Sequence, residues 1–313
     1  MEKKFVVTMA VGGIFELDKH VLECAEALGL RPDVKLNMVH VYPYYPRISE
    51  ADQTDLAKNQ DTKALDLAQK TLDSYTLLLD PQIDLEASVL RGKIVDELIA
   101  FVNSTDSDLL MIGFDPDGSK FIPDEMSVTS ELLEKSPVPV LVASRDAKVD
   151  TAGELRLIIA DDMSEGSDKL LEYSAKIANA FGNVRLIDAH IENLQNQRLN
   201  TSILKVYMLS LGGVEAMSIS NDQILDNFRA RMKRHMDERV DKLKEKDGFA
   251  QTHIQTMVLE GQPLEGLKKS VERLDADIVV FGKHKKFRDG GPFFGGIKER
   301  AMLGLGVPVL IVP

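Results

Sequence analysis

The residues with the clearest chemical potential form a basic, glycine-rich segment between positions 282 and 296. The segment reads Gly-Lys-His-Lys-Lys-Phe-Arg-Asp-Gly-Gly-Pro-Phe-Phe-Gly-Gly and carries four cationic side chains against one acidic side chain. Glycines let backbone N–H groups approach a ligand, and a helix predicted from Ile297 adds the positive end of its dipole. With the lysines, these groups predict a cradle for an anion such as phosphate.

A second polar feature is the run Asp161-Asp162-Met163-Ser164, which follows the apolar run Leu157-Ile158-Ile159-Ala160. A carboxylate and a hydroxyl at the end of a strand form hydrogen bonds with the donors of a nucleobase or a sugar. We therefore predict ligand contacts from Asp162 and Ser164. The alternative is that the aspartate only caps the helix that follows.

Charge and composition exclude several kinds of partner. The 313 residues carry a net charge of −12, and a protein of that sign repels nucleic acid and anionic membrane surfaces. The single cysteine, Cys24, excludes an intramolecular disulfide, and no apolar run approaches the roughly 20 residues of a membrane span. The chain runs from Met1 into a strand without a signal peptide, so we expect a cytoplasmic protein.

The elements that position these residues occur twice in the chain. Gly92, the run from Asp108 to Gly113 and the run Val138–Val142 are each followed, 169 residues later, by a matching residue or run. Apolar runs that read as buried strands alternate with amphipathic patterns that read as helices. This alternation predicts an α/β fold with two tandem Rossmann-like domains, each a parallel sheet of about five strands with helices on both faces.

We predict domains at residues 1–146 and 153–313, joined by a polar linker. The second copy is longer by about 19 residues in one place, and this insert, around residues 191–222, contains an apolar stretch from Ile203 to Leu209. A packed helix or a cover over a sheet edge is the favoured interpretation, and a lid or partner-docking element is the alternative.

The final strands, Val138–Val142 and Val307–Val312, are short, apolar on both faces and last in their domains. An unpaired edge of this kind promotes aggregation. We therefore predict that they pair with each other, by pseudo-symmetric packing of the two halves, or across a homodimer. A loop or the insert covering each edge is the alternative.

The loops after the fourth strands differ sharply between the copies. In an open parallel sheet, ligands bind beyond the carboxyl ends of the strands. The first copy has four acidic residues against one base at positions 113–127, and Met9-Ala10-Val11-Gly12 supplies no carboxylate at the other turn. A phosphate is repelled by such a loop, so we predict a ligand site in the second copy alone.

These residues resemble the universal stress proteins, whose domains begin with a strand ending in Asp and close with Gly-x2-Gly-x9-Gly-Ser/Thr and a Pro-Val-aliphatic strand. The resemblance covers nearly the whole chain as a tandem pair, and it implies the adenine nucleotide alpha hydrolase-like fold. It also implies that the aspartate approaches adenine and ribose while the glycine loop wraps the phosphates of ATP or AMP, with Mg²⁺ as an accompanying ion. The predicted ligand-binding residues are Asp162, Ser164, Gly261, Gly282, His284, Lys285, Gly295, Gly296 and Ile297.

Two loop positions depart from the family pattern, because Lys285 replaces the second glycine and Gly296 replaces the hydroxyl residue. The first copy departs further, with Ala10, Pro116 and Met126 in place of the aspartate and two glycines. The resemblance implies a stress-response regulator or sensor that binds an adenine nucleotide in its C-terminal domain. The alternative is a dimeric scaffold that binds protein partners and no nucleotide.

Signatures of catalysis are absent from the sequence. It contains no Gly-x4-Gly-Lys-Ser/Thr, no Gly-x-Gly-x-x-Gly after a predicted strand, no recognisable nucleophile elbow and no histidines at metal-binding spacing. No residue is evidently placed to activate water beside a phosphate. We therefore expect that the protein is not an enzyme, with slow ATP hydrolysis as the alternative.

Overall fold

The computed structural model describes residues 4–29, 33–43, 55–114, 125–144, 147, 153–192, 220–283, 301–302 and 304–313. The strands of the N-terminal half are β1 (Phe5–Val11), β2 (Val34–Pro43), β3 (Leu85–Gly92), β4 (Leu109–Phe114) and β5 (Val140–Ser144). The strands of the C-terminal half are β6 (Leu155–Asp161), β7 (Val184–Glu192), β8 (His253–Glu260), β9 (Ile278–Gly282) and β10 (Val309–Val312).

The helices run between these strands on both faces of the sheet. They are α1 (Phe15–Gly29), α2 (Asp55–Thr76), α3 (Ile94–Ser104), α4 (Glu125–Lys135), α5 (Ser167–Phe181), α6 (Asn221–Lys244) and α7 (Pro263–Leu274). One apolar core lies under α1, α2, α5 and α6, and a second core lies under α3, α4 and α7. The predicted α/β class, with a Rossmann-like sheet covered on both faces in each half, is confirmed.

The strands form one continuous sheet in the order β3-β2-β1-β4-β5-β10-β9-β6-β7-β8. Each half contributes five parallel strands, and the halves meet where β5 pairs with β10 in the antiparallel direction. Val309 lies opposite Val142, and Ile311 lies opposite Val140. The prediction that the final strands pair with each other is confirmed, and each strand thereby has a neighbour on both sides.

The duplication extends to single hydrogen bonds between strand β1 or β6 and the residue before the fourth strand. The Val6 amide donates to Asp108 Oδ2 at 2.9 Å, and the Arg156 amide donates to Asp277 Oδ2 at 2.7 Å. The two aspartates are 169 residues apart, whereas their partners are 150 residues apart. The difference of 19 residues is the length of the insert by which the second copy exceeds the first.

Left-handed backbone recurs at matched positions as well. Asp106 and Asp275, which follow α3 and α7, have φ angles of 48° and 46°. Gly92 and Gly261 have φ angles of 155° and 144°, where a side chain is strained. The glycine landmarks of the sequence repeat therefore mark the same backbone conformation in the two halves.

Helices with the length and apolar composition of a membrane span do not occur among the described residues. Most of the insert around residues 191–222, including the stretch from Ile203 to Leu209, lies outside the described part of the chain. The domain limits of 1–146 and 153–313 stay a prediction.

Candidate functional site

A cleft of about 910 Å³ opens at the carboxyl ends of β6 and β9. The turn after β6, the first residues of α5 and the residues after β9 form its walls. This is the edge of the sheet at which open α/β folds bind ligands, because helix N-termini and freed backbone groups converge there. The residues lining the cleft are Ala160, Asp162, Ser164, Glu165, Gly166, Ser167, Lys169, Leu170, Phe281, Gly282, Lys283, Val312 and Pro313.

The structure brings together three of the residues predicted from the sequence, since Asp162, Ser164 and Gly282 line this cleft. Gly261 follows β8, which is two strands away from β6 at the edge of the sheet, and it is not part of the cleft lining. The remaining predicted residues lie outside the described part of the chain; they are His284, Lys285, Gly295, Gly296 and Ile297. The binding roles of all nine stay predictions.

The turn carrying Asp162 and Ser164 is fixed by the residue before it. Asp161 is buried at the end of β6, where its Oδ1 accepts hydrogen bonds from the Met163 amide, at 2.7 Å, and from the Ser167 hydroxyl. Met163 adopts a φ of 58°, which is uncommon for a residue with a side chain. Asp162 is exposed, and its Oδ1 accepts from the Ser164 amide at 3.1 Å.

Two lysines give the cleft an electropositive side. Lys169 lies in the first turn of α5, and Lys283 directly follows β9. Burial is the main cause that lowers the pKa of Lys283, the carboxylate of Glu134 opposes this, and the positive charge of Lys169 adds to the lowering. The Lys283 ammonium also donates to the backbone carbonyl of Glu134, so one of its donors is already used, and the two like charges favour an anion in the cleft.

The carboxylates in the cleft are those of Asp162 and Glu165, so the lining has two acidic and two basic side chains. Sequence analysis identified Asp162 but not Lys169 or Glu165. The signal for Lys169 was its place in the first turn of the helix that follows Asp162 and Ser164, since a side chain there reaches the same mouth of the sheet.

The N-terminal half uses the equivalent turn differently, and one sequence prediction about it was wrong. Strand pairing places Val7 and Leu157 at equivalent positions, so Gly12, and not Ala10, corresponds to Asp162. The matched position has no carboxylate, as predicted, but Asp18 of α1 reaches back into the turn. Sequence matching missed Asp18 because it lies six residues beyond the turn and arrives from the helix.

The Asp18 carboxylate is committed to holding the backbone of its own turn. It accepts from the amides of Gly12 at 2.7 Å, Gly13 at 2.8 Å and Ile14 at 3.1 Å, and from the Tyr75 hydroxyl at 3.1 Å. Burial raises the pKa of Asp18, although these hydrogen bonds oppose the rise. The group that corresponds in function to Asp161 is therefore supplied from a helix in the first half and from a strand in the second.

A buried charged cluster lies beneath the cleft turn of the C-terminal half. Arg239 of α6 pairs through Nη1 with Asp161 and through Nε with Asp168 at 2.7 Å. Asp188 of β7 is fully buried beside them. Burial, followed by the charge of Asp161, raises the pKa of Asp188 to about 8, and Arg239 opposes the rise. The signal in the sequence was an aspartate inside the apolar strand Leu186–Ile191.

The described residues contain no group of three side chains suited to hold a metal ion. The described residues thus form a tandem α/β protein with a cleft, lined by charged and apolar side chains, at the sheet edge where such folds bind ligands.

Comparison with known proteins agrees with this description. Residues 10–144 match the model of the universal stress protein family. The N-terminal half therefore matches the universal stress protein family, and the sheet topology shows that the chain carries the same α/β unit twice. The matched residues lie in the half that the sequence indicated to be the more degenerate copy. No curated protein sequence matched the chain.

A universal stress protein from Archaeoglobus fulgidus has a similar crystal structure, with a TM-score of 0.58, 16% sequence identity and coverage of 100% of this chain and 99% of that chain. This likeness shows the fold of the whole chain.

Two shorter structures have bound nucleotides. One is a family protein from Arabidopsis thaliana with AMP bound, with 14% identity, covering 47% of this chain and 98% of its own, at a TM-score of 0.33. The other is a universal stress protein in complex with cAMP, with 15% identity, covering 46% and 99%, at a TM-score of 0.32. These scores are too low to transfer a ligand to this chain.

Proposed function

We propose that the protein is a cytoplasmic regulator or sensor of stress that binds one adenine nucleotide, ATP or AMP, in the cleft of its C-terminal half. The observation that carries the proposal is the meeting of complementary groups in one cleft. Asp162 and Ser164 offer acceptors and a hydroxyl for a base or a sugar, whereas Lys169 and Lys283 offer charge for phosphates. Adenine is the base that the family resemblance implies.

The position of the cleft supports phosphate binding independently of the lysines. The first residues of α5 line it, and the positive end of a helix dipole favours an anion. A volume of about 910 Å³ is within the range of small-molecule sites. The predicted loop residues His284 and Lys285 follow Lys283 directly in the chain.

We also propose that the nucleotide is bound without turnover. Lysine side chains and backbone N–H groups hold phosphates but do not activate water, which requires a placed base or a metal. The described residues do not fit a protein-held Mg²⁺ ion, because they contain no group of three metal-ligating side chains. Mg²⁺ is therefore expected to enter as part of the nucleotide complex, and no step depends on it.

The test is the identity of any small molecule that accompanies the protein. Full-length protein purified without added ligand is denatured, and the released material is separated and identified by mass spectrometry. We expect an adenine nucleotide, and added AMP or ATP should raise the melting temperature of stripped protein. Stripped protein whose melting temperature responds to no adenine nucleotide would contradict the proposal.

Dimerisation through the last strands is disfavoured by the sheet, whereas the alternative of a dimeric scaffold that binds protein partners and no nucleotide stays a prediction. Strands β5 and β10 already pair with each other and with β4 and β9, so neither offers a free edge to a second chain. A homodimer formed through another surface stays a prediction.

A further inference from the structure

The buried cluster under the cleft is present in one half of the molecule and absent from the other. Strand pairing places Asp161 opposite His190, and Val11 opposite His40, so Asp161 and Val11 are equivalent. By the same register, Asp188 corresponds to Met38. Val11 and Met38 are both buried. The scaffold thus folds with two apolar residues at these positions, and the charges in the second half need another reason.

The carboxyl group of Asp188 is short of hydrogen-bond donors. Asp188 is 0% exposed, and among the described residues no donor reaches either of its oxygens. The carboxyl group of Asp161 interacts with it, and the two can share a hydrogen bond only if one of them is protonated. Arg239 does not complete the cluster, because its buried Nη2 also has no partner among these residues.

Other charged groups around Asp188 are engaged elsewhere. On its own strand, His190 contacts the Asp161 carbonyl through Nδ1 at 2.9 Å and Glu192 through Nε2 at 3.0 Å. On β8, Thr256 lies opposite Asp188 and bonds to Lys233 and Asp237 of α6. On α5, Asp168 is mostly exposed and takes its bond from Arg239. One guanidinium therefore faces Asp161, Asp168 and Asp188.

We propose that Asp188 holds a proton at neutral pH, and that this proton lets Arg239 and Asp161 fix the turn that carries Asp162 and Ser164 over the cleft. When the proton leaves, a second buried carboxylate repels Asp161 and competes for Arg239, whose unpartnered Nη2 is the available donor. Asp161 then holds the Met163 amide and the Ser167 hydroxyl less firmly. The turn at the cleft should therefore become less firmly held as the pH rises above neutral.

The linkage has a definite sign. An aspartate that titrates near pH 4 in the unfolded chain and at higher pH in the folded protein makes the folded state bind the extra proton. Its stabilising contribution is complete at low pH and is lost as pH rises through the interval between the two values. Since burial, with the charge of Asp161, raises the pKa of Asp188 to about 8, that interval runs from about pH 4 to pH 8.

The first measurement needs no ligand. Urea unfolding of the full chain is followed from pH 5 to pH 9 for wild type, Asp188→Asn and the control Asp237→Asn, which changes a carboxylate that bonds to Lys233 and Thr256 instead. Between pH 5 and pH 7, the unfolding constant of wild type relative to Asp188→Asn should rise about tenfold per pH unit. The ratio should level off above pH 8, and Asp237→Asn should follow wild type in this range. A ratio independent of pH would overturn the proposal.

A second measurement covers the case in which Asp188→Asn does not fold. Carbon-13 NMR of aspartate-labelled wild-type protein should show one carboxyl group titrating between pH 7 and pH 9. If every aspartate is ionised below pH 6, the proposal is wrong.

The third measurement, the pH dependence of AMP affinity, rests on the proposed function. AMP affinity of wild type should fall between pH 7 and pH 9, by up to about tenfold per pH unit above the pKa of Asp188, and Asp188→Asn should reduce this dependence. Equal pH dependence in both proteins would overturn the link to the cleft. Absence of AMP binding at every pH, with the proton still detected, would instead contradict the proposed function and leave the buried proton in place.

Discussion

At the scale of residues, the cleft divides the proposed recognition between a carboxylate and two ammonium groups. Asp162 is exposed in the turn after β6, and Lys169 and Lys283 lie on α5 and after β9. A carboxylate is a poor neighbour for phosphates but a good acceptor for the N–H or O–H groups of adenosine. The two kinds of side chain should therefore affect different parts of the ligand.

We predict that Asp162→Ala weakens AMP and ATP binding by the same factor, because it removes base or sugar contacts. Lys169→Glu should weaken ATP binding more than AMP binding, because the added phosphates meet a reversed charge. Calorimetric titrations at two salt concentrations measure both effects, and salt should reduce only the effect of Lys169→Glu. If the two variants show the same dependence on phosphate number and salt, the ligand does not place its base or sugar at Asp162 and its phosphates at Lys169.

The repeated aspartates before β4 and β9 make a prediction about stability. Asp108→Ala and Asp277→Ala each leave a backbone amide of the neighbouring strand without its acceptor, at a cost of about 1–3 kcal/mol. Chemical denaturation of the full chain measures the loss. The matched control is Asn at each position, which retains an acceptor oxygen and should cost less. A negligible loss at both sites would show that water replaces the carboxylates.

At the scale of elements, the junction of β5 and β10 joins the two halves into one sheet. The strands are buried over their whole lengths and pair antiparallel, whereas the other neighbouring strands of the sheet run parallel. This arrangement hides two apolar edges that would otherwise attract other strands.

Paired cysteines test this junction directly. Val142 and Val309 face each other, so Val142→Cys with Val309→Cys should form a disulfide within one chain when Cys24 is replaced by Ala. The control pair, Val140→Cys with Val309→Cys, is out of register by two residues and should react poorly. Mass spectrometry and non-reducing gels distinguish the products. A crosslink mainly between two chains would contradict the internal pairing.

The pairing could be predicted from the sequence because it depends on local pattern. Each final strand is an apolar run after an X-Pro step, and burial of such an edge follows from general physics. The turns were harder to predict. Asp18 reaches Gly12 from a helix, and the side-chain path of a helix residue is not visible in a pattern of polar and apolar letters.

The buried cluster was also outside the reach of sequence patterns. Asp188 and Arg239 are far apart in the chain, and only the packing of α6 against the sheet brings them together. The sequence showed an aspartate in an apolar strand but gave no means of finding its neighbours.

At the scale of the whole molecule, the chain combines two copies of one α/β unit in a single sheet. The scaffold is kept in both halves, as the matched hydrogen bonds of Asp108 and Asp277 show. The cleft surfaces have diverged. The N-terminal turn is closed on itself by Asp18, and the C-terminal turn is held from below by Asp161 and presents polar groups to a cleft.

Separate halves should not behave as well as the intact chain. Segments 1–146 and 153–313 each expose one apolar edge, β5 or β10, when expressed alone. We expect each segment to self-associate, and the mixture to form a one-to-one complex, as measured by light scattering after size-exclusion chromatography. Two stable monomers that do not bind each other would show that the β5–β10 junction contributes little to the stability of the two halves.

The central claim, one nucleotide site per chain in the C-terminal cleft, is tested most directly by calorimetric titration of the stripped full-length protein with AMP or ATP. Lys169→Glu changes the cleft, and the equivalent lysine of the first half, Lys19, supplies a control with the same change in net charge. We predict one site per chain, lost or weakened at least about tenfold in Lys169→Glu and retained in Lys19→Glu. Two sites per chain, or equal weakening by both variants, would contradict the claim.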